Sequence, residues 1–368
     1  MIRVLVFVLT LLSLAGSSFA QEAAPPAARA PWSEATIEAF AKLPVQDGGR
    51  VKPLDTYAAF RLLRFNGKRT VKTPTGEKLG PASWLLDCFF YPELARSYAM
   101  FQVRDSAVVQ GVGVRIEGKK KADRYSYDEL VPARARIRSE ASRIESIEEK
   151  KRGREDAQLF ALALSLRDFE YLIHALEFTR VRIETGAAPL LTEHYEGNEV
   201  AISAFLQPVA DWLPTVQAKF AGMSEEAAAR TPESEALSDL SQAVSVSSAF
   251  GDARFALDLY PPTHGEETWF DVSGATEHCF AHPDEKLRGL IAGWETLEAK
   301  KGDPTAFQAE LEALRERTVA MVEARGLGEY GQIEREVAFY RTDYFTKALV
   351  FFLLGFVVLA LTWLSPRL

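Results

Sequence analysis

His278-Cys279-Phe280-Ala281-His282 is the densest group of metal-capable side chains in the sequence. Histidines at i and i+4 share one helix face and, with a thiolate between them, make a partial zinc set. The set is incomplete. HExxH is absent, Pro283 follows at once, and no second cysteine pair or His-rich stretch adds ligands. A solvated loop or helix end is the better explanation of these residues, so no metal is expected, and His278, Cys279 and His282 are the only candidates. His174 falls on an apolar helical stripe, where a core or interface histidine is the simpler reading, with haem ligation the alternative.

A second stretch carries different chemistry. In LPVQDGGRVKPLDTYA, Leu43 to Ala58, the polar residues Gln46, Asp47, Arg50, Lys52 and Asp55 surround Gly48-Gly49. Aspartates cap turns and helix starts, and the glycines permit positive φ or close approach of another backbone. Arg50 can hold a carboxylate in a two-point bond, within the chain or on a partner. Turn chemistry alone favours an internally wired loop. Elsewhere there is no CxxCH, no GxSxG and no glycine-rich phosphate loop, so nothing in the chain makes a positive case for catalysis.

The ends of the chain bound where these residues work. Residues 1–20 combine Arg3, the apolar run Val4 to Leu14 and a small-residue Ser18-Phe19-Ala20 site, which predicts a cleaved export signal. Residues 21–31 are Ala/Pro-rich and predict a disordered spacer. Residues 345–364, FTKALVFFLLGFVVLALTWL, hold one charge, Lys347, and match the roughly 20 apolar residues of a spanning helix. The expected topology is single-pass in the inner membrane, with the bulk extracytoplasmic and residues 365–368 in the cytoplasm. A net charge of −8 with both signs interspersed points away from nucleic acid. The two cysteines, Cys88 and Cys279, are either a single disulfide or free thiols.

Between the ends, residues 32–340 predict a mainly α region with a few short strands, as one body or as subdomains 32–130 and 131–340. Helices are expected from Ser33 to Leu43, from Leu54 to an Asn66-Gly67 stop, and from Pro81 to a halt at Pro92. Alternation from Phe101 to Ile116 suggests short strands or a small α/β region. Ala133 to Phe178 reads as one long helix or, with a break at Gly153, as an α-hairpin. Residues 221–248 suggest helices with a mobile joint at Thr231-Pro232, and Phe255 to Tyr260 a brief strand. Gly302-Asp303-Pro304 should divide two helices within Leu287 to Glu323.

LPVQDGGRVKPLDTYAAFRLLRFNGK (43–68) resembles a segment of bacterial system II cytochrome c biogenesis proteins, the cytochrome c synthase (haem lyase) assemblies of ResB/CcsA type. GPASWLLDCFFYPELARSYAMFQV (80–103), ALDLYPPTHGEETWFDVSGA (256–275) and EREVAFYRTDYFTKALVFFLLGF (334–356) resemble later segments of the same family, in the same order. The resemblance implies an extracytoplasmic region that serves haem delivery and attachment to apocytochrome c. It marks Gln46, Asp47, Gly49, Arg50, Lys52, Pro53, Asp55 and Thr56 as a partner-recognition motif, with Trp84, Pro92, Pro261, Pro262 and Trp269 in the supporting segments. The family's WWD loop is missing, since no two tryptophans are adjacent, and 345–364 holds no histidine. The haem-handling core must then be a separate multi-span protein bearing the WWD motif. This chain would be a non-catalytic accessory subunit that meets haem only through the complex. The alternative is a membrane-tethered ligand-binding or scaffold domain unrelated to haem.

Overall fold

The computed structural model describes residues 29–248, 257–263, 268–342 and 344–364. The expected signal segment, residues 21–28 of the spacer, Phe255, His264 and the tail 365–368 lie outside the described residues. Within them the chain is mainly helical, as its periodicity predicts.

Ser33 caps α1 (Glu34–Ala41), its hydroxyl accepting the Thr36 amide at 3.0 Å. The expected loop that follows is a β-hairpin. β1 (Pro44–Asp47) pairs antiparallel with β2 (Arg50–Pro53), placing Asp47 opposite Arg50. Its two-residue turn needs left-handed backbone at both centres, and Gly48 and Gly49 supply φ of 62° and 74°. No atom lies within 4 Å of where a Gly49 Cβ would stand, so the glycine serves the turn rather than a close approach.

α2 (Leu54–Asn66) ends where Gly67 takes φ 67° and donates its N–H to the Leu63 carbonyl at 2.8 Å. A short hairpin, β3 (Val71–Lys72) with β4 (Lys78–Leu79), leads to α3 (Pro81–Phe90). Pro92 does more than stop that helix, because it opens the short α4 (Pro92–Arg96). Only Phe101–Val103 of the expected strand region is extended (β5), paired with β6 (Asp123–Tyr125). Val108 and Val109 belong instead to a helical turn, Ser106–Gly111, capped by Asp105.

Gly153 does break the long helical stretch, dividing it into α5 (Arg134–Glu145) and α6 (Arg154–His174), which pack on each other. A further antiparallel pair, β7 (Ile183–Glu184) with β8 (Glu199–Val200), encloses the short helix Pro189–Thr192 and precedes α7 (Val209–Ala221). Thr231-Pro232 does join two helices, a short one at Glu225–Ala229 and α8 (Pro232–Ser248); Thr231 is buried and its hydroxyl accepts the Ser234 amide at 3.2 Å. α9 (Val272–Ala281) and α10 (Glu285–Lys300) carry Asp caps, Asp271 and Asp284. Asp303 caps α11 (Pro304–Ala324) through the Thr305 and Ala306 amides, both at 3.0 Å. α12 (Ile333–Thr342) then leads to α13 (Tyr344–Leu364).

One buried apolar cluster runs from Ala39 to Met321 and so includes residues on both sides of position 130. Aromatic pairs knit it: Phe65 meets Trp84 at 5.9 Å, Phe101 meets Phe169 at 5.5 Å and Phe90 meets Phe307 at 4.9 Å. α13 stands apart, with its apolar side chains exposed and a mean hydropathy of 2.3 over an 18-residue stretch, long and apolar enough to cross a membrane.

Candidate functional site

The hairpin β1–β2 is the hub on which the predicted motif residues gather. The Gln46 backbone N–H donates to the Asp258 carbonyl at 3.0 Å, and its side-chain oxygen accepts the Trp269 N–H at 2.9 Å. A buried amide side chain thus joins the hairpin to the diproline–tryptophan segment. Pro261 and Pro262 are buried between two bridged residues, Tyr260 and Phe270, whose backbones exchange hydrogen bonds at 3.1 and 2.9 Å.

Asp47 faces inward along a chain of charges. Lys52 Nζ reaches its Oδ2 at 2.8 Å and Arg61 reaches its Oδ1 at 3.4 Å. Arg61 continues to Asp168 at 3.2 Å, where Arg64 adds a bond at 2.7 Å. Burial opposes the Arg61 charge, but Tyr57, Asp168 and Asp47 together hold its pKa above the ordinary value. The guanidinium also lies 4.8 Å over the Tyr57 ring, and burial pushes the Tyr57 phenol up to about 12. Burial likewise raises Asp168, against the pull of Arg64 and Arg61.

Asp258 closes this group. It is half-buried, and desolvation followed by the nearby Asp271 and Asp47 carboxylates raises its pKa to about 7. Arg50 points the other way: it is exposed and ion-paired with Glu336 on α12, the helix that precedes α13. Pro53 and Thr56 are buried, and Asp55 sits in the first turn of α2, where a carboxylate suits the helix dipole. Asp55 is not the cap; that position is Pro53, without a side-chain bond.

Trp84 is fully buried against Phe65, and Pro92 is half-buried. Near them lies a carboxylate that motif reading overlooked. Asp87 is fully buried and accepts from Trp32 Nε1 at 2.8 Å, from Tyr98 Oη at 2.7 Å and from the Arg29 guanidinium. A single acid within the apolar run WLLDCFF was the available signal, since such a charge needs partners. Arg29 belongs to the expected spacer, yet its side chain is almost wholly buried, so the last residues of that stretch pack on the domain.

The His–Cys–His candidates do not converge. His278 and His282 rings are 5.2 Å apart, but the Cys279 thiol is buried and donates to the Asp284 carbonyl at 3.8 Å. Burial and Asp284 push that thiol up to about 12, away from the thiolate that a metal would need. Among the described residues no three His, Cys, Asp or Glu side chains are grouped to hold a metal. Cys88 and Cys279 are both free and buried, which resolves the disulfide alternative in favour of thiols.

Compared with known protein families, with curated proteins and with solved structures, the chain matches none. The geometry offers a charge-wired junction linking three distant parts of the chain to the helix that leads into α13.

Proposed function

We propose that the chain is a membrane-anchored, non-catalytic accessory subunit of cytochrome c maturation. In this reading α13 holds it in the inner membrane with its bulk outside. It supports haem delivery and attachment to apocytochrome c through a separate multi-span partner bearing the WWD motif.

One observation carries the reading. The four segments that resemble the system II family are scattered in sequence but contiguous in space. The first, 43–68, touches all the others: α2 packs on α3 of 80–103, Gln46 bonds Asp258 and Trp269 of 256–275, and Arg50 pairs with Glu336 of 334–356. A likeness that converges on one junction is what a shared docking element would leave. The helices within 133–250 lie outside that likeness.

Deleting the gene and staining membranes for covalent haem tests the proposal. Loss of c-type cytochromes, together with recovery of a WWD-bearing membrane protein on affinity purification, is the expected result. Normal covalent haem and recovery of the chain alone would sink it, and would favour the tethered scaffold unrelated to haem.

A further inference from the structure

The face of α2 that does not enter the core carries Phe60, Leu63 and Arg64, at helical spacing of one side, and Lys68 follows just beyond the Gly67 cap. Phe60 is 49 % exposed and Leu63 38 %. Around them the charge is one-sided: residues 60–78 hold Arg61, Arg64, Lys68, Arg69, Lys72 and Lys78 against a single acid, Glu77, in a chain whose net charge is −8. Arg61 and Arg64 turn to Asp168, while Lys68, Arg69, Lys72 and Lys78 are exposed.

This face lies beside the start of α13. Ring contacts lead from the helix outward: Tyr344 and Phe345 sit 5.7 and 5.9 Å from Phe339, Phe339 sits 5.5 Å from Tyr340, and Tyr340 sits 6.4 Å from Phe60. Arg69 covers both ends of the last contact, 5.5 Å over Phe60 and 4.9 Å over Tyr340. Tyr340 is four residues before the start of α13, within about 14 Å of it along any chain path.

We propose that the Phe60–Leu63 face of α2 and the basic β3–β4 hairpin rest on the headgroups of an anionic bilayer. The inference rests on membrane anchoring by α13. Aromatic rings beside a span favour the interfacial layer, apolar side chains dip beneath it, and a rim of lysine and arginine meets lipid phosphate. The single-sided charge in an otherwise acidic chain is the complement of a phosphatidylglycerol surface. Resting there, the domain would hold the Arg50–Glu336 junction close to the membrane plane.

The test uses the full chain in phosphatidylglycerol nanodiscs that contain nitroxide-labelled lipid. The native thiols are buried, so a fluorophore can be attached selectively at Leu63→Cys, or at Val357→Cys within α13. The expected result is quenching of the Leu63 probe by shallow nitroxides and of the Val357 probe by deep ones. Phosphatidylcholine discs, or the Lys68→Glu/Arg69→Glu/Lys72→Glu variant, should relieve quenching at Leu63 only. Each lost cation should lower the docked-to-undocked ratio roughly five-fold. Quenching at Val357 with none at Leu63 overturns the inference, leaves the anchoring intact and hands the face to a protein partner. Quenching at neither site overturns the anchoring and this inference with it.

Discussion

The Gln46 side-chain oxygen accepts the Trp269 backbone N–H at 2.9 Å, across 223 positions of sequence. Because the group is buried, Gln46→Leu leaves that N–H without a partner. The expected cost is roughly 1–3 kcal/mol, read as a lower urea midpoint at unchanged slope. A midpoint equal to that of the parent chain would show that the bond contributes nothing.

Asp87 should be the costliest single site. Asp87→Ala strips Arg29, Trp32 and Tyr98 of their common acceptor and leaves a buried guanidinium unpaired. The expected loss is about 3–5 kcal/mol, with proteolysis opening near residue 29 before the rest of the domain. Asp87→Asn, which keeps part of the acceptor geometry, should lose less.

Asp258 gives the fold a pH slope. Its folded pKa is raised to about 7 from an ordinary 3.8, by desolvation first and then by Asp271 and Asp47. The folded state therefore binds the extra proton between those values, and stability falls as pH rises through that window. Asp258→Asn should raise the Tm at pH 8 and change it little at pH 4, flattening the profile. A Tm difference that does not depend on pH would contradict the assignment.

Arg50 is exposed while its partner Glu336 is half-buried, so Arg50→Ala should lower global stability by about 1 kcal/mol. Its effect should be local. Amide exchange in 333–342 should speed up, and with it covalent haem in cells should fall if the junction serves maturation. Unchanged exchange would mean that α12 is held by Phe60, Arg69 and the core instead.

The two thiols provide a simple check on packing. Neither Cys88 nor Cys279 should react with a thiol reagent in the folded chain at pH 8, and both should react once it is unfolded, without prior reduction. Burial pushes the Cys88 thiol well up as well, which adds chemical inertness to steric protection.

The long-range helical pattern was readable because it depends on burial of one face, and Ser33, Gly67 and Asp303 mark its boundaries by local bonds. The hairpin was not, since its strands are four residues each and their polar side chains are used internally. Gly48-Gly49 was the usable signal for it, a two-residue turn with both centres at positive φ. Of the candidate motif, the residue types were legible but their partners were not. Lys52–Asp47 is local, whereas Arg61–Asp168, Gln46–Trp269 and Arg50–Glu336 join segments that no periodicity relates.

The hairpin also sets a timetable. It lies near the beginning of the described residues, yet its partners Asp258, Trp269 and Glu336 are synthesised much later. During synthesis Asp47 can pair at once with Lys52 and Arg61, but Gln46 must wait for Asp258 and Trp269 until most of the domain has emerged, so closure of the junction is a late event. Once Glu336 and the rest of α12 follow, α13 is the only described element still to come. Completion of the fold and arrival of its apolar C-terminal helix are thus nearly simultaneous.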